Sequence, residues 1–123
     1  MLRRTAFIVG TILLYPGISG AEAEGIIVKS PVDCALWADA RKRPAPSAIA
    51  LEHYVTGLVN GLALGSGTEF WRAKSGISKE QVYYYIDTYC QKNPLEGVLS
   101  GVIAVINEQT NNAYSRRVNA QPD

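Results

Sequence analysis

The chain has 123 residues, 47% of them hydrophobic and only 19% charged, with a formal net charge of +1. That balance excludes a disordered chain, which lacks the apolar residues to offset the entropy of ordering. It also excludes the basic footprint expected of a nucleic-acid or anionic-membrane binder.

Residues 1–23 read as a secretory signal peptide. Arg3 and Arg4 form a positive start, Thr5 to Leu14 an apolar run, Pro16 and Gly17 a break, and Ala21-Glu22-Ala23 a small-x-small cleavage site. A membrane span needs about 20 apolar residues, and this run is shorter, so no span is expected after cleavage. Cleavage would remove Arg3, Arg4 and Glu22 and leave ten basic and ten acidic residues, a balanced surface. The reading places one domain over residues 24–108 and a polar, flexible tail over 109–123, in the periplasm.

An exported chain meets an oxidising compartment, and its two cysteines, Cys34 and Cys90, have one intramolecular pairing open to them. Closing a loop of that length is worth about 4 kcal/mol by chain entropy, a sizeable share of a typical stability of about 5 to 15 kcal/mol. A zinc site or a reactive thiol is the alternative. Zinc wants four ligands with local pairs, whereas this chain offers one histidine, His53, and no such pair. A structural disulfide is therefore expected, with no metal and no cofactor.

Caps mark out four helices in an all-α bundle. Ser30-Pro31-Val32-Asp33 supplies a cap hydroxyl, a proline at the first helical position and an early carboxylate, opening a short helix through Cys34, Trp37 and Arg41. Pro44 and Pro46 close it. Ser47 caps a second helix of about four turns, in which Leu51, Tyr54, Val55, Leu58, Val59, Leu62 and Ala63 recur at three- and four-residue steps. Gly65-Ser66-Gly67-Thr68 ends it.

Phe70 and Trp71 follow in a connection where two exposed rings would be costly, so both are expected to fold back on the core. Ser78-Lys79-Glu80-Gln81 has the form of a capping box. Behind it Val82, Tyr85, Ile86, Tyr89 and Cys90 share one stripe, with Tyr83 and Tyr84 on the flank. Asn93-Pro94-Leu95-Glu96 reads as the start of a fourth helix with Leu95, Val98, Leu99, Val102, Ile103 and Ile106 turned inward.

Chemistry is sparse. His53 sits beside Glu52 on the flank of the second helix and reads as a surface histidine, and no triad or acid–base pair can be built, so no enzyme is expected. The basic runs Arg41-Lys42-Arg43 and Arg116-Arg117 are too short for a binding patch, and the first is accounted for by the helix dipole. Gly57, Gly61 and Gly65 recur every four residues, as do Gly97 and Gly101. Such rows cost helix stability and point to close approach of a neighbour, helix on helix within the chain first and a homodimer seam second. Thr68 to Gly76, with Phe70, Trp71 and Arg72, has the aromatic-plus-arginine character of a protein-binding hot spot.

The leader, Asp33-Cys34-Ala35-Leu36-Trp37, the long helix after a proline, and Tyr89-Cys90-Gln91-Lys92-Asn93-Pro94 together resemble the small periplasmic HdeA/HdeB acid-stress chaperone family over about residues 30–108. The resemblance implies an all-helical domain with Cys34 joined to Cys90. It further implies a neutral-pH dimer that loosens in acid, as carboxylates such as Asp33, Glu52, Glu80, Asp87 and Glu96 protonate, and that exposes apolar surface to unfolded client proteins. The layout is also similar to that of periplasmic immunity proteins against type VI secretion toxins, which are partner-specific binding modules. An accessory subunit of an envelope secretion system is a third reading.

Overall fold

The computed structural model describes residues 30–43 and 46–120, so the leader, residues 24–29, Pro44, Ala45 and the last three residues lie outside it. Five helices follow one another: α1 Cys34–Arg41, α2 Pro46–Ser66, α3 Lys79–Lys92, α4 Val98–Gln109 and α5 Ala113–Asn119. The all-α expectation holds, with one helix more than the four read from the caps. Among the described residues the only β pairing is a single antiparallel bridge, Asp33 with Gly97.

That bridge corrects two helix starts. Val98 N donates to Val32 O and Cys34 N donates to Glu96 O, each at 3.0 Å. Ser30 to Val32 is therefore held outside the helix, and the cap falls to Asp33, whose carboxylate accepts from Leu36 N at 2.7 Å. The Ser30 hydroxyl donates instead to Val32 O. On the other side Asn93 is the end of α3, and Pro94, Leu95 and Glu96 form a turn before Gly97 caps α4. Leu95 points to solvent, 99% exposed, because Glu96 is bound across the bridge instead of joining a helical ladder.

Pro46 opens α2 where the sequence reading had it closing α1. A proline at a first turn forfeits no hydrogen bond. The helix runs 21 residues, nearer six turns than four. It continues through Gly65 because the Ser66 hydroxyl bonds back to Leu62 O, and it stops at Gly67, whose positive φ of 64° turns the chain.

The capping box of α3 is present as read, Gln81 N to Ser78 Oγ at 3.2 Å and Ser78 N to Gln81 Oε1 at 2.8 Å. The stripe behind it is rotated by a residue. Val82, Tyr83, Ile86 and Cys90 are buried, whereas Tyr85 and Tyr89 are half-buried and Tyr84 is exposed.

The expected flexible tail is also corrected. Asn111 and Asn112 both adopt left-handed angles and reverse the chain, α5 follows, and Tyr114 is buried against α2 and α4. Asn107 Oδ1 accepts from Ser115 N and from Ser115 Oγ, and the Arg117 guanidinium donates to Gly67 O, fastening α5 to the end of α2.

The core gathers Val32, Cys34, Trp37, Val55, Val59 and Phe70 with the inward faces of α3 and α4. Cys34 and Cys90 are bonded, Cα to Cα 5.0 Å, joining α1 to α3. Among the described residues no helix is long and apolar enough to cross a membrane.

The glycine rows divide. A Cβ on Gly101 would lie 2.9 Å from Tyr89 Cδ1 and 3.1 Å from Ile86 Cδ1, so α4 rests on α3 there with no room for a methyl group. Gly97 is equally close to Ser30 Cβ, at 2.9 Å. Gly57, Gly61 and Gly65 have nothing within 4 Å of such a Cβ.

Opposite outcomes are therefore expected from one substitution. Gly101→Ala should destabilise by about 1–3 kcal/mol through overpacking, while Gly57→Ala should stabilise by up to about 1 kcal/mol through helix propensity. Urea unfolding of the two variants checks both signs. Reducing the Cys34–Cys90 bond, which closes a separation of 56 residues, should cost about 4 kcal/mol and lower the melting temperature accordingly.

Candidate functional site

Three helices meet on one guanidinium. Arg41, in the last turn of α1, donates from Nε to Asp87 Oδ1 at 3.0 Å and from Nη2 to Asp87 Oδ2 at 2.9 Å, a two-pronged pair with α3. Its Nη1 bonds the Glu52 carboxylate on α2. Trp37 Nε1 donates to the same Asp87 Oδ1 at 2.8 Å. The guanidinium carbon lies 5.5 Å from the centre of the Trp37 ring and 5.9 Å from that of Tyr83, within cation–π range. The Tyr83 hydroxyl in turn meets Thr56 Oγ1 at 2.7 Å.

The charged side chains here are only a quarter to a third exposed: Arg41 29%, Asp87 27% and Glu52 24%. The Asp87 carboxylate, followed by Glu52, holds the Arg41 guanidinium in its charged form above its usual range, against the opposing effect of burial. Sequence reasoning assigned Arg41 to the helix dipole and missed this cluster. Its partners lie 11 and 46 residues away. The available hint was the placing of Trp37 and Arg41 four apart on one helix, with Asp87 flanking the apolar stripe of another.

A groove of about 490 Å³ runs over this cluster between α1 and α3, with Tyr84, Thr88 and Gln91 on its far wall. Arg41 is already satisfied by two carboxylates, which leaves Lys42 as the cation of the groove lining outside the cluster.

The expected hot spot separates into parts. Phe70 is 1% exposed and belongs to the core, so it cannot reach a partner. Trp71 packs edge-on against it, centroids 4.9 Å apart, half-buried, with Nε1 donating to Asn60 Oδ1 at 2.8 Å. Arg72 is exposed and paired with Glu69, whose carboxyl is held below its usual range by the Arg72 backbone N–H and guanidinium.

The glycine positions separate likewise. Gly97 and Gly101 serve contacts inside the chain, while Gly57 and Gly61 lie on the outer face of α2. That face carries Ile49, Ala50, His53, Gly57, Gly61 and Leu64, and none of the exposed positions of α2 is Lys, Arg, Asp or Glu. The one charged residue of the helix, Glu52, is turned to Arg41. Leu64 is 83% exposed and Ile49 55%. The result is an uncharged surface about 31 Å long on the longest helix of the bundle.

Burial, and then the neighbouring Glu108 carboxylate, push the Tyr85 phenol above its usual range. Above pH 10 the unfolded chain ionises first, so stability falls as pH rises through the folded value. Tyr85→Phe should flatten that alkaline fall, read by thermal melts between about pH 9 and 11. Arg41→Met removes the partner of both carboxylates and should cost about 1–3 kcal/mol, less than a fully buried pair because water reaches the site. Urea unfolding at neutral pH measures it, and an unchanged midpoint would show the cluster to be energetically idle.

No protein-family model, curated protein or solved structure matches this chain.

Proposed function

We propose that the chain is an exported, non-enzymatic helical protein that acts by binding other polypeptides, of the periplasmic stress-protective type its cysteine-flanking motifs resemble. The observation that carries this reading is the outer face of α2. A surface helix ordinarily turns charged groups to water. This one turns isoleucine, alanine, glycine and leucine there, the chemistry of contact with another chain.

The Arg41 cluster ties α1, α2 and α3 together through two carboxylates on one guanidinium, so these helices are joined by ion pairs as well as by apolar packing. The Cys34–Cys90 bond would keep α1 and α3 together as α2 loosens.

One observation favours a second reading, a partner-specific inhibitor or immunity protein, or an accessory subunit of an envelope secretion system. The α2 face and the half-buried Trp71 beside Asn60 are already presented in the folded state, which suits a partner of fixed shape.

Light scattering tests the first reading. The oxidised protein should suppress aggregation of an unrelated protein at acid pH, with a rise in hydrophobic-dye fluorescence, and Leu64→Asp should weaken the suppression severalfold. Absence of both responses on acidification eliminates it. Stable co-purification at neutral pH with a toxin encoded beside it would decide for the second.

A further inference from the structure

We propose that the outer face of α3 is a binding site for a neutral, equatorially linked saccharide chain, with the Tyr84 ring as the platform on which a sugar stacks. The site lies apart from α2 and is independent of the polypeptide binding proposed above.

Tyr84 is the one tyrosine of α3 that the fold does not use. Tyr83 is in the core and Tyr85 and Tyr89 pack against it, whereas Tyr84 is 73% exposed and belongs to neither group. It stands between two grooves of about 490 Å³ each, and with Thr88 it lines both. The first is the groove over the Arg41 cluster, and the second is completed by Glu80, Gln81 and Tyr85. Clefts of that size take small organic ligands, and the ring is the ridge they share.

The side chains around the ring set the chemistry. Gln81, Tyr84, Thr88 and Gln91 recur at steps of three, four and three, which aligns them on one side of the helix over about 15 Å. A helix face turned to water ordinarily carries charge. This stripe is amide, ring, hydroxyl and amide, groups that donate and accept as the hydroxyls of a sugar do. The Gln91 amide is exposed on the wall of the first groove. Gln81 commits its carbonyl oxygen to Ser78 N, which leaves its NH2 group to donate. The Thr88 hydroxyl gives its proton to Tyr84 O at 3.1 Å and keeps its lone pairs for a ligand. A sugar shows C–H groups on its flat face and hydroxyls around its rim, and the partial positive charge of those C–H groups suits the negative face of an aromatic ring.

Other ligand classes fit less well. A polyanion finds one cation outside the Arg41 pairing, Lys42 in the first groove, and meets the Glu80 carboxylate in the second. An extended peptide that adds to a sheet edge needs free backbone groups, and those of α3 are committed to its own helix. A proline-rich peptide offers carbonyl acceptors and no backbone N–H, which leaves the Thr88 oxygen and the Glu80 carboxylate without a donor. An equatorially linked saccharide is itself extended, presents flat faces in succession and carries no charge, which matches a straight, uncharged stripe.

Titration of the exported, oxidised chain with cellotetraose and with the N-acetylated chitotetraose, followed by amide NMR, tests the proposal. Signals of residues 80–91 should shift saturably with at least one of the two. A response to both assigns the site to the pyranose face they share, and a response to chitotetraose alone adds the acetamido group to what is recognised. Tyr84→Ala should weaken binding at least about tenfold and leave the melting temperature unchanged, since the ring is outside the core. Tyr84→Phe, which keeps the stacking face, should bind within about twofold of the unaltered chain. Gln91→Ala should weaken binding severalfold. Absence of saturable shifts with either saccharide, binding that survives Tyr84→Ala, or an oligoproline peptide that shifts these residues where both saccharides do not, overturns the site. Aggregation suppression at acid pH should be the same for Tyr84→Ala and the unaltered chain, so a failure of saccharide binding leaves the polypeptide-binding reading standing, and the reverse holds.

Discussion

The bond between Cys34 and Cys90 is the constraint on which the arrangement turns. Cys34 is the first residue of α1, and its backbone N–H is also committed, to Glu96 O in the turn that follows α3. The start of α1 is therefore tied twice, covalently to α3 and by hydrogen bonds to the entry of α4. With those ends fixed, Trp37 is placed one turn along, wholly buried, and Arg41 a further turn along, over Asp87. The charged cluster is thus a geometric consequence of the sulfur bond, and α2 is drawn in through Glu52.

What that arrangement leaves outside is as informative as what it buries. α2 is apolar on nearly all sides, yet only Ala48, Val55 and Val59 are fully enclosed. The bundle is too small to wrap a helix of 21 residues, and a domain of this size leaves a large fraction of its surface in water. Glycine and alanine keep the uncovered side low, with the exposed Ile49 and Leu64 standing out from it. They also leave the backbone within reach of a neighbouring chain, which connects the packing of the monomer to its proposed work as a binding protein.

Local signals in the sequence were legible where local forces decide the outcome. The Ser78–Gln81 box forms because both of its bonds close within one turn. The Ser30 and Asn93 caps have comparable chemistry and fail for a non-local reason: the segments they precede pair with each other across the Asp33–Gly97 bridge. α5 was hidden because a single buried side chain, Tyr114, gives no period to detect. Of the candidate sites, the pairing of the cysteines could be read in advance, and the glycine rows were visible only as a spacing. Which row faces inward could not, since that depends on the rotation of α2 within the bundle.

The two tryptophans divide the molecule between them. Trp37 is sealed at the junction of α1 and α3 with its indole N–H on a carboxylate, while Trp71 sits half in water beside α2 with its N–H on a neutral amide. Their emission spectra should differ, blue-shifted for the first and red-shifted for the second. With one of them replaced by phenylalanine, intrinsic fluorescence would report separately on the interior junction and on the outer surface, and so on unfolding and partner contact without any attached dye.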